Sequence, residues 1–329
     1  MPELYDVAAI GNAIVDVIAP ATDEFIAANG LDKGAMMLVD AQQSQALYAK
    51  MAPGMETSGG SAANTIAGLA SFGGKGAFMG KVADDQLGGV FAHDMRAIGA
   101  RFENAPLVGG PATAVSMINV TPDGQRTMCT YLGASVEFTD ADVDQAVVEA
   151  AKIVYLEGYL FDAEAARRAF AKAAALAHGS GRMIALTLSD SFVVERHRGA
   201  LLGFIENQVD LLFANEAEVT ALFETDDFDV AVAALRERVT LAAVTRSEKG
   251  SVILSKGERL TVAAEPVEKV VDTTGAGDQY AAGFMFGLSR GRPLQQCGKL
   301  ASLAAAEVIS HYGPRPQVSL QDLAASRGY

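Results

Sequence analysis

The stretch Val270-Val-Asp-Thr-Thr-Gly-Ala-Gly-Asp278 carries the most chemistry in the chain. A β-branched run ends at Asp272, glycines follow, and a helix rich in small residues is expected to start near Ala276. The amides of Gly275, Ala276 and Gly277 then point outward from a helix N-terminus, where the macrodipole also favours negative charge. That arrangement suits an anion, including the charge that builds on a phosphoryl group in transfer. Asp278 falls in the first helical turn beside the anion, where a hydroxyl can present its proton. Read alone, the same residues also fit a tight turn followed by a helix-start acid.

Other polar residues lie at strand and helix ends. Asn12 and Asp16 follow the first apolar run, in Gly11-Asn-Ala-Ile-Val-Asp16. A carboxylate accepts from two vicinal hydroxyls and an amide both donates and accepts, although both residues also read as loop polars. Ser58-Gly-Gly-Ser-Ala-Ala-Asn64 places a glycine pair before a helix, with Asn64 one turn in. Asn215-Glu-Ala-Glu218 reads as a helix N-cap with acids in its first turn. Val244-Thr-Arg-Ser-Glu-Lys-Gly250 reads as a glycine-terminated turn after a strand. The glycines from Gly68 to Gly76 do not form a P-loop, because Lys75 comes one place late with no Ser or Thr after it.

Asp272-Thr-Thr-Gly-Ala-Gly-Asp278 resembles the C-terminal signature of the PfkB carbohydrate kinases, the ribokinase-like family that includes adenosine kinases. The chain is similar to that family over nearly its whole length. The resemblance implies an α/β fold of three αβα layers, with a mainly parallel central sheet and a small β-sheet lid. It implies an ATP-dependent kinase that phosphorylates a primary hydroxyl, with Asp278 as base and the Gly275, Ala276 and Gly277 amides as anion hole. Asn12, Asp16, Gly59, Gly60 and Asn64 match acceptor positions. Asn215, Glu218, Thr245, Gly250 and Thr273 match the nucleotide side, with Arg246 as a further candidate there. Glu218 would act on Mg²⁺ through water, and Asp272 is the side-chain candidate for a monovalent cation such as K⁺. The residues Tyr312-Gly-Pro-Arg-Pro316 match the loop that closes over adenine.

The segments Gln279–Phe284, Gln125–Ser135 and Glu157–Phe161 look most like bacterial adenosine-kinase-like members, with Tyr159 or Leu160 placed to flank a base. Ser61-Ala62-Ala63 and Thr274 depart from the eukaryotic adenosine kinase pattern. Ribose, fructose-type sugars, inosine and guanosine stay open as acceptors, as does a non-catalytic nucleoside-binding protein. A phosphorylated sugar would want a basic cluster, for which only Lys33, Arg101 and Arg126 are candidates.

The elements that must position these residues alternate along the chain. Strands are expected at Asp6–Gly11, Gly76–Val82, Lys152–Leu156, Met183–Thr187, Asp210–Ala214 and Leu241–Thr245. Helices are expected between them, including one N-capped by Ser61 and others at Leu87–Ile98, Glu164–His178, Glu216–Phe223, Val230–Arg238, Ala276–Leu288 and Leu294–Ile309. Ala112–Val120 and Arg126–Leu132 flank Thr121-Pro-Asp-Gly-Gln125, a hairpin signal. The reading is one domain over 1–329, with a lid from discontinuous segments about 14–40 and 108–133. Val115, Met117 and Ile118 on that lid are candidates for a homodimer interface.

Composition narrows the function classes. The 329 residues carry a net charge of −14, and no dense Lys/Arg run is present to bind nucleic acid or an anionic membrane. Two cysteines cannot build a disulfide framework, and four histidines show no metal-ligand spacing. Neither a basic leader nor a long apolar run is visible, so a cytoplasmic location is expected. No strand is followed by the GxGxxG that a Rossmann oxidoreductase needs.

Overall fold

The computed structural model describes residues 4–329; Met1–Glu3, at the start of the stretch read as lacking a leader, lie outside them. Thirteen strands occur among the described residues: β1 Tyr5–Ile10, β2 Ile14–Pro20, β3 Met36–Leu38, β4 Met55–Gly59, β5 Gly76–Met79, β6 Ala114–Val120, β7 Arg126–Tyr131, β8 Ala151–Glu157, β9 Met183–Thr187, β10 Leu211–Asn215, β11 Leu241–Thr245, β12 Ser251–Ser255 and β13 Glu258–Val262. Eight of them form the central sheet in the order β13-β12-β11-β10-β9-β8-β1-β5. Pairing from β5 to β11 is parallel, and an antiparallel hairpin, β12–β13, closes one edge.

The sheet is covered on both faces, as period-two alternation requires of a parallel sheet. Along β1, Val7 and Ala9 enter one hydrophobic core while Ala8 and Ile10 enter the other. In β8, Ile153 and Tyr155 face the first core while Val154 and Leu156 face the second. Each large side chain buried in this way is worth about 1.5–3 kcal/mol, so the layers hold together through their apolar faces. Register brings strand ends together at one edge: Ile10 lies beside Leu156, Glu157 beside Thr187, and Asn215 beside Thr245. In open α/β sheets this carboxyl edge is where ligands bind.

The other five strands form a small sheet in the order β3-β7-β6-β2-β4. Its hairpin β6–β7 turns through Gly124 at φ 81°, with Thr121 Oγ1 donating to Asp123 Oδ1 at 2.6 Å. Strand β4 pairs antiparallel with β2, so a third chain segment joins the two anticipated for this sheet. Val115, Met117 and Ile118 are all buried within the chain, which removes them as dimer contacts. The exposed apolar residues of the small sheet are Met36, Leu38 and Met55, on its two edge strands.

Two helices set the geometry of the site. Ser61–Ser71 packs against Ala276–Ser289. Gly60, not Ser61, caps the first of these, with Ser61 already inside the helix. Gln279 is fully buried at the crossing and donates from Nε2 to the carbonyls of Asn64 and Pro314, both at 2.9 Å. A Cβ on Gly68 would stand 1.9 Å from Gln279 Oε1 and 2.9 Å from Ala282 Cβ.

In an exposed helix Gly→Ala stabilises by about 0.8–1.0 kcal/mol. At Gly68 the methyl would displace Gln279 and force the helices apart, an overpacking cost of about 1–3 kcal/mol with two buried hydrogen bonds at stake. Gly68→Ala is therefore expected to lower the denaturant midpoint in an equilibrium urea titration. A raised midpoint would show that the crossing is loose.

Candidate active site

The turn before the Ala276–Ser289 helix is built around Asp272. Its Oδ1 accepts from the Thr274 amide at 3.0 Å and from Thr274 Oγ1 at 2.7 Å. Its Oδ2 accepts from the Gly313 amide at 3.0 Å and from Arg126 Nη1. Burial pushes this carboxyl up, but the Thr274 and Gly313 donors and the Arg126 charge outweigh it and leave it below the ordinary aspartate range. A monovalent cation does not fit Asp272: both oxygens are taken, one of them by a guanidinium. Gly275 sits at φ 80°, and Pro314 would lie 2.7 Å from a Cβ, so only glycine is accommodated. Above Gly277 there is open space.

The anion hole is narrower than the three amides anticipated. The Ala276 amide donates to the Thr273 carbonyl at 3.2 Å, closing the turn. The Gly275 and Gly277 amides meet no protein acceptor among the described residues, and they face the helix axis end where negative charge is favoured.

Asp278 follows in the first turn. Its Oδ1 accepts from Ser61 Oγ at 2.6 Å and its Oδ2 lies 3.5 Å from Asn64 Nδ2. Burial pushes the carboxyl up to about 6, against the pull of the Ser61 and Asn64 donors. A carboxylate raised this far is a better proton acceptor than a free aspartate, yet still charged at neutral pH.

The acceptor-side residues converge on the same point. Asp16, on β2, is buried and pushed up to about 6 by desolvation, while Arg315 and Arg126 draw it down and Asp278 pushes it up. Asn12 donates from its amide and from Nδ2 to Glu157 Oε1, at 3.3 and 2.9 Å, and its buried Oδ1 has no partner. Asn64 Oδ1 accepts from Arg315 Nε at 3.1 Å. The glycine pair leaves room for these residues. A Cβ on Gly59 would lie 2.4 Å from the Asp16 carboxyl, and one on Gly60, at φ 91°, would lie 2.3 Å from the Asn12 carbonyl.

Three residues of this cluster were not singled out from sequence. Glu157, at the carboxyl end of β8, holds Asn12 and the Ala62 amide, and burial pushes it up to about 7. An acid closing the apolar run Ile153–Leu156 of a parallel strand is a readable signal. Ser61 lies three residues before Asn64, hence on the same helix face, which the pattern also encodes. Arg315, half-buried with Nη2 sealed and unpartnered, comes from the Tyr312–Pro316 loop, which the resemblance assigns to adenine and not to the acceptor cluster.

On the nucleotide side the sequence candidates fall at the same sheet edge with mixed roles. Asn215 and Glu218 form a reciprocal capping box: Glu218 Oε2 accepts from the Asn215 amide at 2.9 Å, and the Glu218 amide donates to Asn215 Oδ1 at 2.8 Å. Burial, with Asp190 nearby, pushes Glu218 up to about 7. Thr245 ends β11, half-buried, with its hydroxyl 3.5 Å from the Ala214 carbonyl. Gly250 makes the β11–β12 turn at φ 82°, with the Val262 carbonyl where a Cβ would be, so the hairpin accounts for it. Arg246 is occupied by Glu216 at 2.8 Å and stacks 3.7 Å over Phe228. Thr273 is exposed beside the turn, Tyr159 is half-exposed, and Leu160 is buried in the core. Among the described residues no group of three or more His, Cys, Asp or Glu could hold a metal by itself. Mg²⁺ needs no such cage, since it keeps waters and binds largely through substrate phosphates.

The chain is similar to known proteins along most of its length. A family profile described as pfkB family carbohydrate kinase matches residues 32–320. The crystal structure of adenosine kinase from Sinorhizobium meliloti is 54% identical, covers 98% of this chain and 99% of its own, and superposes with a TM-score of 0.91. A probable sugar kinase from Rhizobium etli is 49% identical over 99% of both chains, with a TM-score of 0.92. Adenosine kinase of Saccharomyces cerevisiae is 28% identical over 93% of this chain and 95% of its own length.

The raised carboxyls set a pH dependence. The folded state holds a proton on Asp278 between the ordinary aspartate value and about 6, where the unfolded chain has released it. Stability attributable to Asp278 therefore falls as pH rises across that interval and stays low above it. Asp278→Asn should raise Tm by about 2–6 °C at pH 8 and by much less at pH 4, read by calorimetry. An equal gain at both pH values would contradict a raised Asp278.

Proposed function

We propose adenosine as the acceptor of this chain, which belongs to the pfkB family of carbohydrate kinases and transfers a phosphoryl group to an alcohol oxygen. The observation that carries the reading is Asp278, half-buried within hydrogen-bond reach of Ser61 and Asn64, one residue after an open Gly277 amide. A base and an anion site lie side by side, with Asp16 and Asn12 close by to hold hydroxyls.

The reaction runs as an in-line transfer. Asp278 accepts the proton of the primary hydroxyl as its oxygen bonds to the γ-phosphorus of ATP, and the bond from that phosphorus to the β,γ-bridging oxygen breaks to leave ADP. The Gly275 and Gly277 amides receive the charge on the transferring group. Glu218 would hold Mg²⁺ through water, and the ion would supply neutralisation of phosphate charge. Asp16, Asn12 and Asn64 orient the acceptor, and Glu157 fixes Asn12. The small sheet stands over the acceptor side through Asp16 and keeps water from the nucleophile's place.

Charge supports a neutral acceptor over a phosphorylated one. Lys33, Arg101 and Arg126, the basic residues the sequence offers for a second phosphate, are taken: Lys33 by Asp23 and Asp123, Arg101 by Glu103 and Asp144, and Arg126 by Asp272. That leaves Arg315, already on Asn64 and beside Asp16, as a lone cation there and not a cluster. Asp16, Glu157 and Asp278 add like charge around the acceptor. Adenosine is preferred over a free sugar because the Sinorhizobium meliloti relative, 54% identical, is an adenosine kinase. The Rhizobium etli relative, named as a sugar kinase, keeps ribose and fructose-type acceptors as the second reading.

ADP release from Mg-ATP across adenosine, inosine, guanosine, cytidine, ribose and fructose decides between them. Adenosine is expected to give the highest kcat/KM, and a preference for ribose or fructose would transfer the assignment to the sugar. Asp278→Asn is expected to lose about 10²–10⁴-fold in kcat with ATP affinity kept, the usual range for a positioned general base. Ser61→Ala removes a donor to the charged form, so the acid limb of kcat/KM, near pH 6 in the wild type, should move upward. An unmoved limb would assign it to another group.

A further inference from the structure

Asp272 lies beside the anion turn and carries a full charge there, so it requires a counter-charge. That counter-charge comes from the chain itself. Arg126 opens β7 of the small sheet, reaches Asp272 Oδ2 through Nη1, and lies 3.4 Å from Thr274 Oγ1 by the same nitrogen. Both side chains are nearly sealed, at 9% and 7% exposure. Three separate segments meet at this pair. The β6–β7 hairpin contributes Arg126, the anion turn contributes Asp272 and Thr274, and the loop after the last long helix contributes the Gly313 amide. The hairpin also packs on that loop at its tip, where a Cβ on Gly124 would lie 2.4 Å from Tyr312 Oη.

We infer that Arg126 is a positioning residue that takes the place of a monovalent cation at Asp272, so that the anion turn is held by a charge delivered from the small sheet. The inference rests on the kinase reading above. A K⁺ ion near Asp272 would meet the guanidinium at short range, where two positive charges repel. It would also have to displace a charge-assisted hydrogen bond from a carboxylate whose other contacts, Thr274 and Gly313, are already made. The turn that presents the Gly275 and Gly277 amides is thus stiffened by an element that also carries Asp16. Anion site and acceptor site share one mechanical support.

The test uses the full chain at constant ionic strength, with tetramethylammonium, sodium or potassium chloride as the salt. Wild-type turnover with adenosine and Mg-ATP is expected to agree within about twofold across the three, and Arg126→Lys to show the same indifference. Arg126→Gln should lose about tenfold or more in tetramethylammonium and recover about fivefold or more in potassium, each tenfold step corresponding to 1.4 kcal/mol. Thermal unfolding without substrates supplies a second readout: potassium should raise Tm of Arg126→Gln and leave the wild type at its tetramethylammonium value. Potassium activation of the wild type by more than about fivefold would overturn the inference. So would an Arg126→Gln defect, in turnover and Tm alike, that no cation changes. Should the wild type phosphorylate no acceptor, the kinase reading fails while the Tm comparison still decides the role of Arg126. Should Arg126→Gln fail to fold, the wild-type and Arg126→Lys salt series decide it.

Discussion

A carboxylate that takes a proton from an alcohol must be drier than an ordinary surface aspartate, and it must still be charged when the nucleophile arrives. Asp278 meets both demands through its position at a helix start. Desolvation raises its proton affinity, and the Ser61 hydroxyl, the Asn64 amide and the helix dipole keep the charged form within reach. Every other feature of the site follows from holding that balance. The two helices that supply Asp278 and its donors must start within a few ångströms of each other. Gln279 and Gly68 lock their crossing.

The cost of this arrangement is spread over several acids. Asp16, Glu157, Glu218 and Asp278 are all pushed above their ordinary range by burial, and several of them repel one another. Structural acids elsewhere, such as Asp6 with Lys152 and Arg290, are held below it by their partners. The contrast marks the carboxyl edge of the sheet as the place where stability is given up for chemistry. Glu157 illustrates how the strain is contained: its two oxygens bind Asn12 and the start of the Ser61–Ser71 helix, so a buried acid becomes the joint between strand and helix.

Much of the framework is legible because it is local. Met183–Thr187 and Leu241–Thr245 coincide with apolar runs of strand length bounded by polar residues, and the Thr121–Gln125 turn carries its own side-chain hydrogen bond. The helix Ser191–Gln208 was not anticipated, and its sequence explains why. Its apolar residues follow no single stripe, Gly199 and Gly203 interrupt it, and His197 leaves helical geometry at φ −122°. Strand β4 was missed because Met55–Gly59 is short and joins the small sheet only through tertiary pairing with β2. Ser61 was read as a cap, since Ser before a helix usually is one. Gly60 takes that position and frees the hydroxyl for Asp278.

Arg315 shows where reading from sequence ends. In Gly313-Pro-Arg-Pro316 nothing distinguishes a buried guanidinium from a surface one, and its meaning comes wholly from what the fold brings to it. Nε donates to Asn64 Oδ1, which commits the Asn64 amide nitrogen toward Asp278, and the nearby charges of Asp16 and Asp94 offset the burial. A sealed guanidinium nitrogen left unpaired is costly unless it meets an acceptor during the reaction cycle. Asn64 can present only one face to Asp278, and Arg315 selects which. The loop carrying Arg315 also supplies Gly313 to Asp272 and Pro314 to Gln279, so the base, the anion turn and the acceptor residues are tied together by three consecutive residues near the chain's end. A shift of that loop would move all three at once.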